Sequence, residues 1–170
     1  SIGYPIHNPG TVLLNPALSL NYNNMIGLTH QSKMNGTSNS EFIGFDKYIN
    51  DSSWVSVIML YEGVDGIPDT RGALLDWGLD GILGTFDIGE GNGSLDEGER
   101  LDVDKIRFFN QNIFGLYGAH SKIFNNWRIG FGLKIILHTI DKEIGIGAGL
   151  DIGVFRNYNT TGIGCLLYTS

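Results

Sequence analysis

The chain has 170 residues, 42% of them hydrophobic, at a mean hydropathy of zero, so it is long enough for one domain with a real core and too apolar for global disorder. Glycine supplies 25 residues and charged side chains only 17%, a mix that suits strands and tight turns better than helices. The single cysteine, Cys165, excludes an internal disulfide, and the scattered His7, His30, His120 and His138 offer no ligand-spaced pair for zinc.

The net charge of −7 is local. Glu62 through Asp104 carries twelve acidic and two basic residues, a net of −10, and the remainder a net of +3. That region repels nucleic acid and invites a cation.

No apolar run reaches the roughly 18 residues of a membrane helix. Taken in chain order, residues 24–33, 41–49 and 54–62 have strand composition. Residues 110–121 do too, but are apolar on both faces. The clearest signal comes next. Ile129, Phe131, Leu133, Ile135 and Leu137 alternate with Arg128, Gly130, Gly132, Lys134, Ile136 and His138. Ile144, Ile146, Ala148, Leu150, Ile152 and Val154 then alternate with Glu143, Gly145, Gly147, Gly149, Asp151 and Gly153. Successive side chains of a strand point to opposite faces, so each segment has one apolar face and one small or charged face. A further strand begins at 160–164. Asn35-Gly36, Asn50-Asp51, Asn125-Asn126, Asp141-Lys142 and Asn157-Tyr158-Asn159 supply the left-handed backbone of short turns. Short turns between consecutive strands predict an antiparallel, up-and-down meander. The connection from Gly63 to Asp104 is the exception, and loops of that length are usually functional or disordered.

Two architectures fit the alternation. In a soluble sandwich or barrel the apolar face turns inward. In an outer-membrane barrel it turns outward to lipid, and glycine and charge face the lumen. Strand length, the unbroken apolar faces and the glycine-rich opposite faces favour the membrane. Tyr48, Trp54, Tyr61, Trp127 and Tyr158 near strand ends are expected to form interfacial girdles.

Asn15-Pro16-Ala17-Leu18 resembles the element that opens the barrel in the PorV/PorQ family of outer-membrane proteins, relatives of the FadL-type fatty acid transporters. Leu14 stands where an aromatic is usual, and the family's glycine is missing. Phe42-Ile43-Gly44-Phe45 with Trp54-Val55-Ser56-Val57 resembles its second hairpin, and Tyr61 to Thr70 its following loop start. Phe114 to Ala119, Ile129 to Lys134 and Gly147 to Gly153 are similar to its later strands. The resemblance spans about residues 8–156. It implies a FadL-like barrel of about fourteen strands, of which residues 1–164 hold about half, and a place in type IX secretion handling cargo. The alternatives are a FadL-like transporter of hydrophobic small molecules and a soluble calcium-binding β protein. Residues 165–170, CLLYTS, match what a common transposon end encodes in one reading frame and are set aside as a non-native tail. No signal peptide is visible at the start.

No catalytic motif occurs, so a non-enzymatic role is expected. Gly145-Ile-Gly-Ala-Gly sits inside a period-two segment and opens no helix, so it is not a dinucleotide loop. Lys134 and Asp151 share a face on neighbouring strands and are expected either to pair or to stand free in a wet lumen; Arg128 and Glu143 are considered likewise. The candidate site is the insert at 76–99, where seven acidic residues are interleaved with seven glycines. Asp76, Asp80 and Asp87 approximate the spacing of a calcium loop, with Gly81 at the sharp turn and Gly78 where a ligand is usual. Glu90, Asn92, Asp96 and Glu99 repeat the content off register. Ca2+ bound here is one expectation, and a solvated acidic loop is the other. In the membrane reading 63–104 lies outside the cell, with turns at 34–40 and 139–142. The turns at 50–53, 123–126 and 157–159 face the periplasm. The partners are then outer-membrane lipid, secreted cargo and surface attachment machinery, and not nucleic acid.

Overall fold

The computed structural model describes residues 8–18, 24–158 and 161–169. His7, Asn159 of the expected third periplasmic turn and Thr160 of the expected last strand lie outside these residues. The chain divides into two units, residues 1–64 with 111–170, and residues 65–110.

The first unit is an antiparallel, up-and-down sheet of seven strands. In chain order the strands are β1 (Met25–Lys33), β2 (Ser38–Asn50), β3 (Ser53–Asp69), β4 (Leu74–Leu75), β5 (Arg100–Leu101), β6 (Arg107–Phe124), β7 (Trp127–Ile140), β8 (Glu143–Tyr158) and β9 (Thr161–Tyr168). The large sheet runs β1-β2-β3-β6-β7-β8-β9, so every neighbour is the next long strand in the chain. It is open: β1 and β9 are its edges, and the described residues do not close it into a barrel.

The strands outrun the apolar stretches that announce them. β3 continues to Asp69 and β6 starts at Arg107, because backbone pairing requires no particular side chain. Asn125 and Asn126 turn β6 into β7 in two residues with φ of 46° and 65°, the paired left-handed conformation that matches hairpin twist. β9 takes in Cys165 to Tyr168, and Val154 faces Cys165 in the β8–β9 register.

Alternation divides the sheet into two unlike faces. On the outer face Phe131, Leu133 and Ile135 are 55%, 52% and 45% exposed, and Ile146 and Leu150 are 77% and 59%. Ile43, Val57, Met59 and Leu116 continue this face across β2, β3 and β6. The inner face buries Gly44 and Asp46 on β2, Ser56 and Ile58 on β3, Tyr117, Ala119 and Ser121 on β6, Gly130 and Gly132 on β7, and Gly149, Asp151 and Gly153 on β8. This sets the orientation of β6, which its composition left open. It also corrects the girdle expectation for Trp54, which is 2% exposed on the inner face with its ring edge-on to Tyr48. Trp127 and Tyr158 do stand exposed.

What covers the inner face is the start of the chain. Two short 3-10 helices, Pro9–Leu13 and Pro16–Leu18, bury Pro9, Val12, Pro16 and Ala17. Val12 joins Ile58, Tyr117, Ala119 and Phe42 in the core. A side chain at Gly130 would strike the backbone of Pro16 and Ala17, and one at Gly153 would strike Asn15. The glycines of β7 and β8 are thus the floor on which this segment lies.

The second unit is not the bare loop expected of 63–104. β4 and β5 pair antiparallel across it, Leu74 with Leu101 and Leu75 with Arg100. A single 3-10 turn, Val103–Lys105, is capped by the Asp102 carboxylate accepting from the Asp104 N–H.

Candidate functional site

Within the second unit, the acidic insert is organised by its own carboxylates. All seven of its glycines, from Gly78 to Gly98, have positive φ. A chain of such turns points successive N–H groups inward, and turned N–H groups make concavities for anions. Here the anions are the insert's own side chains. The Asp76 carboxylate accepts from the N–H groups of Gly91 and Gly93, both at 2.7 Å. Asp87 accepts from Asp80 N–H at 2.8 Å, and Asp80 from Ile82 N–H at 2.8 Å. Glu90 accepts from the N–H groups of Gly84 and Phe86. Glu99 accepts from Gly78 N–H and Asp96 N–H, each at 2.9 Å. Asn92 donates its amide to Asp96 at 2.6 Å and accepts from Ser94 N–H at 2.7 Å.

The electrostatic consequence is clearest at Asp76. Hydrogen bonds from Gly93 foremost, then from Gly91, hold its carboxyl below the ordinary carboxylate range, because a donor to the charged form favours that form. Earlier in the same unit, Arg71 grips Asp69 through Nε and Nη2, both at 2.8 Å. These bonds hold the Asp69 carboxyl at about 2.

The seven predicted metal ligands are therefore brought into one folded insert, but each turns toward backbone N–H or a neighbouring side chain. Among the described residues, no group of three or more such side chains is arranged to hold a metal ion. A calcium ion has to win these carboxylates from the N–H groups they now serve. Asp87 Oδ1 is enclosed and without a hydrogen-bond partner. Gly78, the gap in the calcium-like pattern, lies against Asp87: a side chain there would overlap the carboxylate.

The inner face of the sheet unit carries the other cluster. Lys134 Nζ lies 2.9 Å from Asp151 Oδ1, with the side chains 25% and 9% exposed, so the first of the two alternatives for this pair is realised. Tyr117 stands directly across from Lys134 in the β6–β7 register. Arg128 and Glu143 do not form a second such pair. The β7–β8 register sets Glu143 opposite Ile140 and Arg128 opposite Phe155, at the two ends of the ladder. Arg128 lies over the Phe155 ring at 5.9 Å. Asn15, from the opening element, reaches the same face: its amide donates to Cys165 O at 3.2 Å, and its carbonyl accepts from Ala17 N–H at 2.9 Å.

Two features escaped the sequence reading. The first is the amide-binding role of the acidic side chains, for which the regular interleaving of acid and glycine is the available signal. The second is a cavity of about 370 Å³ beside Phe42, whose lining includes Thr29, Gln31, Leu60, Ile113 and Ile136. Its residues are scattered over β1, β2, β3, β6 and β7, and only the register gathers them.

The chain matches no family model, no curated protein and no solved structure.

Proposed function

We propose that this chain is part of a β-barrel of the bacterial outer membrane, similar to the PorV/PorQ proteins and non-enzymatic, working in type IX secretion where such barrels receive cargo. The observation that carries the membrane part is the inversion of the sheet: large apolar side chains stand exposed on one face, while glycine, serine, aspartate and a segment of the chain itself fill the other. In water an exposed apolar surface of this extent is a liability or an interface; in lipid it is the required outer surface of a barrel. The secretion part rests on the ordered resemblance from Asn15 to Gly153. In this reading the 65–110 unit belongs to the cell exterior, where barrels keep their long connections. Extraction tests the membrane part: the protein is expected in the outer-membrane fraction, resistant to carbonate and released by detergent. Recovery in plain buffer overturns it. Binding of a secreted cargo's C-terminal domain to the reconstituted barrel tests the secretion part.

A second reading, passage of hydrophobic small molecules, is favoured by the inner cavity beside Phe42, Leu60, Ile113 and Ile136, since a small-molecule site is a concave, mostly apolar pocket with few polar groups. Uptake of a fluorescent fatty acid, lowered by Leu60→Arg and absent without the protein, supports it; uptake unchanged by that variant removes it. Calcium at Asp76, Asp80 and Asp87 is proposed only as a ligand-exchange event at the insert, supported by the spare oxygen of Asp87.

A further inference from the structure

The outer face changes character at the strand ends next to the Asn50-Asp51 and Asn125-Asn126 turns and where β8 ends at Tyr158. Lys47 follows Phe45 on that face of β2, Lys122 follows Leu116 on β6, and Arg156 follows Ile152 on β8. Lys47 and Lys122 are exposed, and among the described residues no carboxylate pairs with either or with Arg156. Arg156 instead lies over the Trp127 ring at 5.0 Å. The carboxylates of the sheet unit are elsewhere. Asp46 and Asp151 are buried on the inner face. Glu41, Glu62, Asp141 and Glu143 sit at the opposite strand ends. Asp51 alone stands at this end, in the β2–β3 turn, and it accepts from the Tyr48 hydroxyl. One strand separates β2 from β6, and one separates β6 from β8, so the three cations are spaced about 10 Å apart across the sheet.

Beside Lys122, on the side of β7 and β8, is a cavity of about 280 Å³ on the same face, lined by His120, Lys122, Phe124, Ile129 and Phe131. Its floor is apolar and its margin cationic. That is the chemistry of one molecule with a phosphate at one end and a methylene chain at the other. Long cationic side chains at the edge of an apolar belt reach headgroups while their stems stay in hydrocarbon, and anionic lipids attract basic clusters at this depth.

We infer that this end of the outer face is a binding site for an anionic glycerophospholipid. Lys122 and Lys47 meet the phosphate, Arg156 lies alongside on Trp127, and the acyl chain enters the groove of Phe124, Ile129 and Phe131. The inference rests on the outer face being lipid-facing, and it goes further by naming a headgroup charge and a leaflet. In the proposed topology these turns are periplasmic, so the lipid belongs to the inner leaflet.

The test uses the whole chain folded into phosphatidylcholine vesicles. Acyl-brominated phosphatidylglycerol or acyl-brominated phosphatidylcholine is added at equal mole fraction, and quenching of tryptophan fluorescence is read. Brominated phosphatidylglycerol is expected to show a local occupancy about fivefold higher, the size of one basic side chain's preference for an anionic surface. The preference is expected to fall toward one in Lys47→Gln/Lys122→Gln and at high salt, and to persist in Lys33→Gln/Lys142→Gln, which alters cations at the other strand ends. Equal quenching by the two lipids in protein that has inserted overturns this inference alone. Protein that stays out of the vesicles overturns the membrane reading with it. Stronger competition by lipid A than by phosphatidylglycerol overturns the choice of lipid and places the site on the outer leaflet.

Discussion

The sheet and the acidic insert solve the same problem, satisfying backbone polar groups, in opposite ways. In the sheet the ladders do it. Residue after residue is paired from Gln111↔Ile140 to Phe124↔Trp127 and from Arg128↔Phe155 to Ile140↔Glu143, which leaves the side chains free to define two faces. In the insert, among the described residues, only the two short strands β4 and β5 pair, and the carboxylates of Asp76, Asp87, Glu90 and Glu99 take the N–H groups that ladders would have taken. The ladders of the sheet thus need no ionised side chain, and the sheet is sensitive to what covers its faces. The insert is sensitive to charge and indifferent to burial.

The largest effect is expected on the outer face. Leu133→Arg puts a guanidinium where the proposal puts hydrocarbon and should cost about 2–4 kcal/mol in reconstituted protein. In a water-facing sheet the same exposed position should change stability by no more than about 0.5 kcal/mol. Urea unfolding in vesicles measures it.

Next is the inner face. Gly130→Leu must displace the Pro16–Leu18 segment, an overpacking expected to cost about 1–3 kcal/mol. Limited proteolysis should then cut near Pro16 while the sheet stays protected. Lys134→Met should act at a similar level, since it strands the buried Asp151 carboxylate without its 2.9 Å partner. Lys134→Arg should recover most of the loss.

The smaller effects belong to the insert. Asp76→Asn should deprotect the Gly91 and Gly93 N–H groups in hydrogen exchange and leave sheet protection unchanged. Acid should do the same reversibly. The folded Asp76 carboxyl titrates below its ordinary value of 3.8, so its contribution is fully present above that value and is lost as pH falls through the lower folded value. Protection factors at Gly91 and Gly93 should therefore fall below about pH 4. Calcium at millimolar levels sharpens the same comparison. A response confined to the insert supports ligand exchange at Asp76, Asp80 and Asp87, and none removes it.

Much of the sheet was legible because period two survives any environment. Ile129 to Leu137 and Ile144 to Val154 mark the same two faces in the sequence and in the fold, and the Asp141-Lys142 turn fixes their register. Which face is covered was not legible from those strands alone. The answer lies in residues 9–18, whose packing on Gly130 and Gly153 is a contact more than a hundred positions away in the chain. The Lys134–Asp151 pair was one of two readings because face and neighbourhood follow from register, while pairing depends on reach. Arg128 and Glu143 failed because a shared face says nothing of which end of the ladder a residue occupies. In the insert, composition located the charge, but a carboxylate that binds a cation and one that binds an N–H look alike in sequence.

The central claim is that the exposed apolar face of β7 meets lipid, and alternation makes it directly measurable. In a Cys165→Ser background, which removes the one exposed thiol, single cysteines at 131, 133 and 135, and at 147 on the opposite face of β8 where a side chain meets open space, are labelled with a small fluorophore after folding into vesicles. The account predicts that labels at 131, 133 and 135 are quenched from within the bilayer and shielded from an aqueous quencher, and that 147 shows no lipid quenching. Aqueous quenching at 131, 133 and 135 would contradict it.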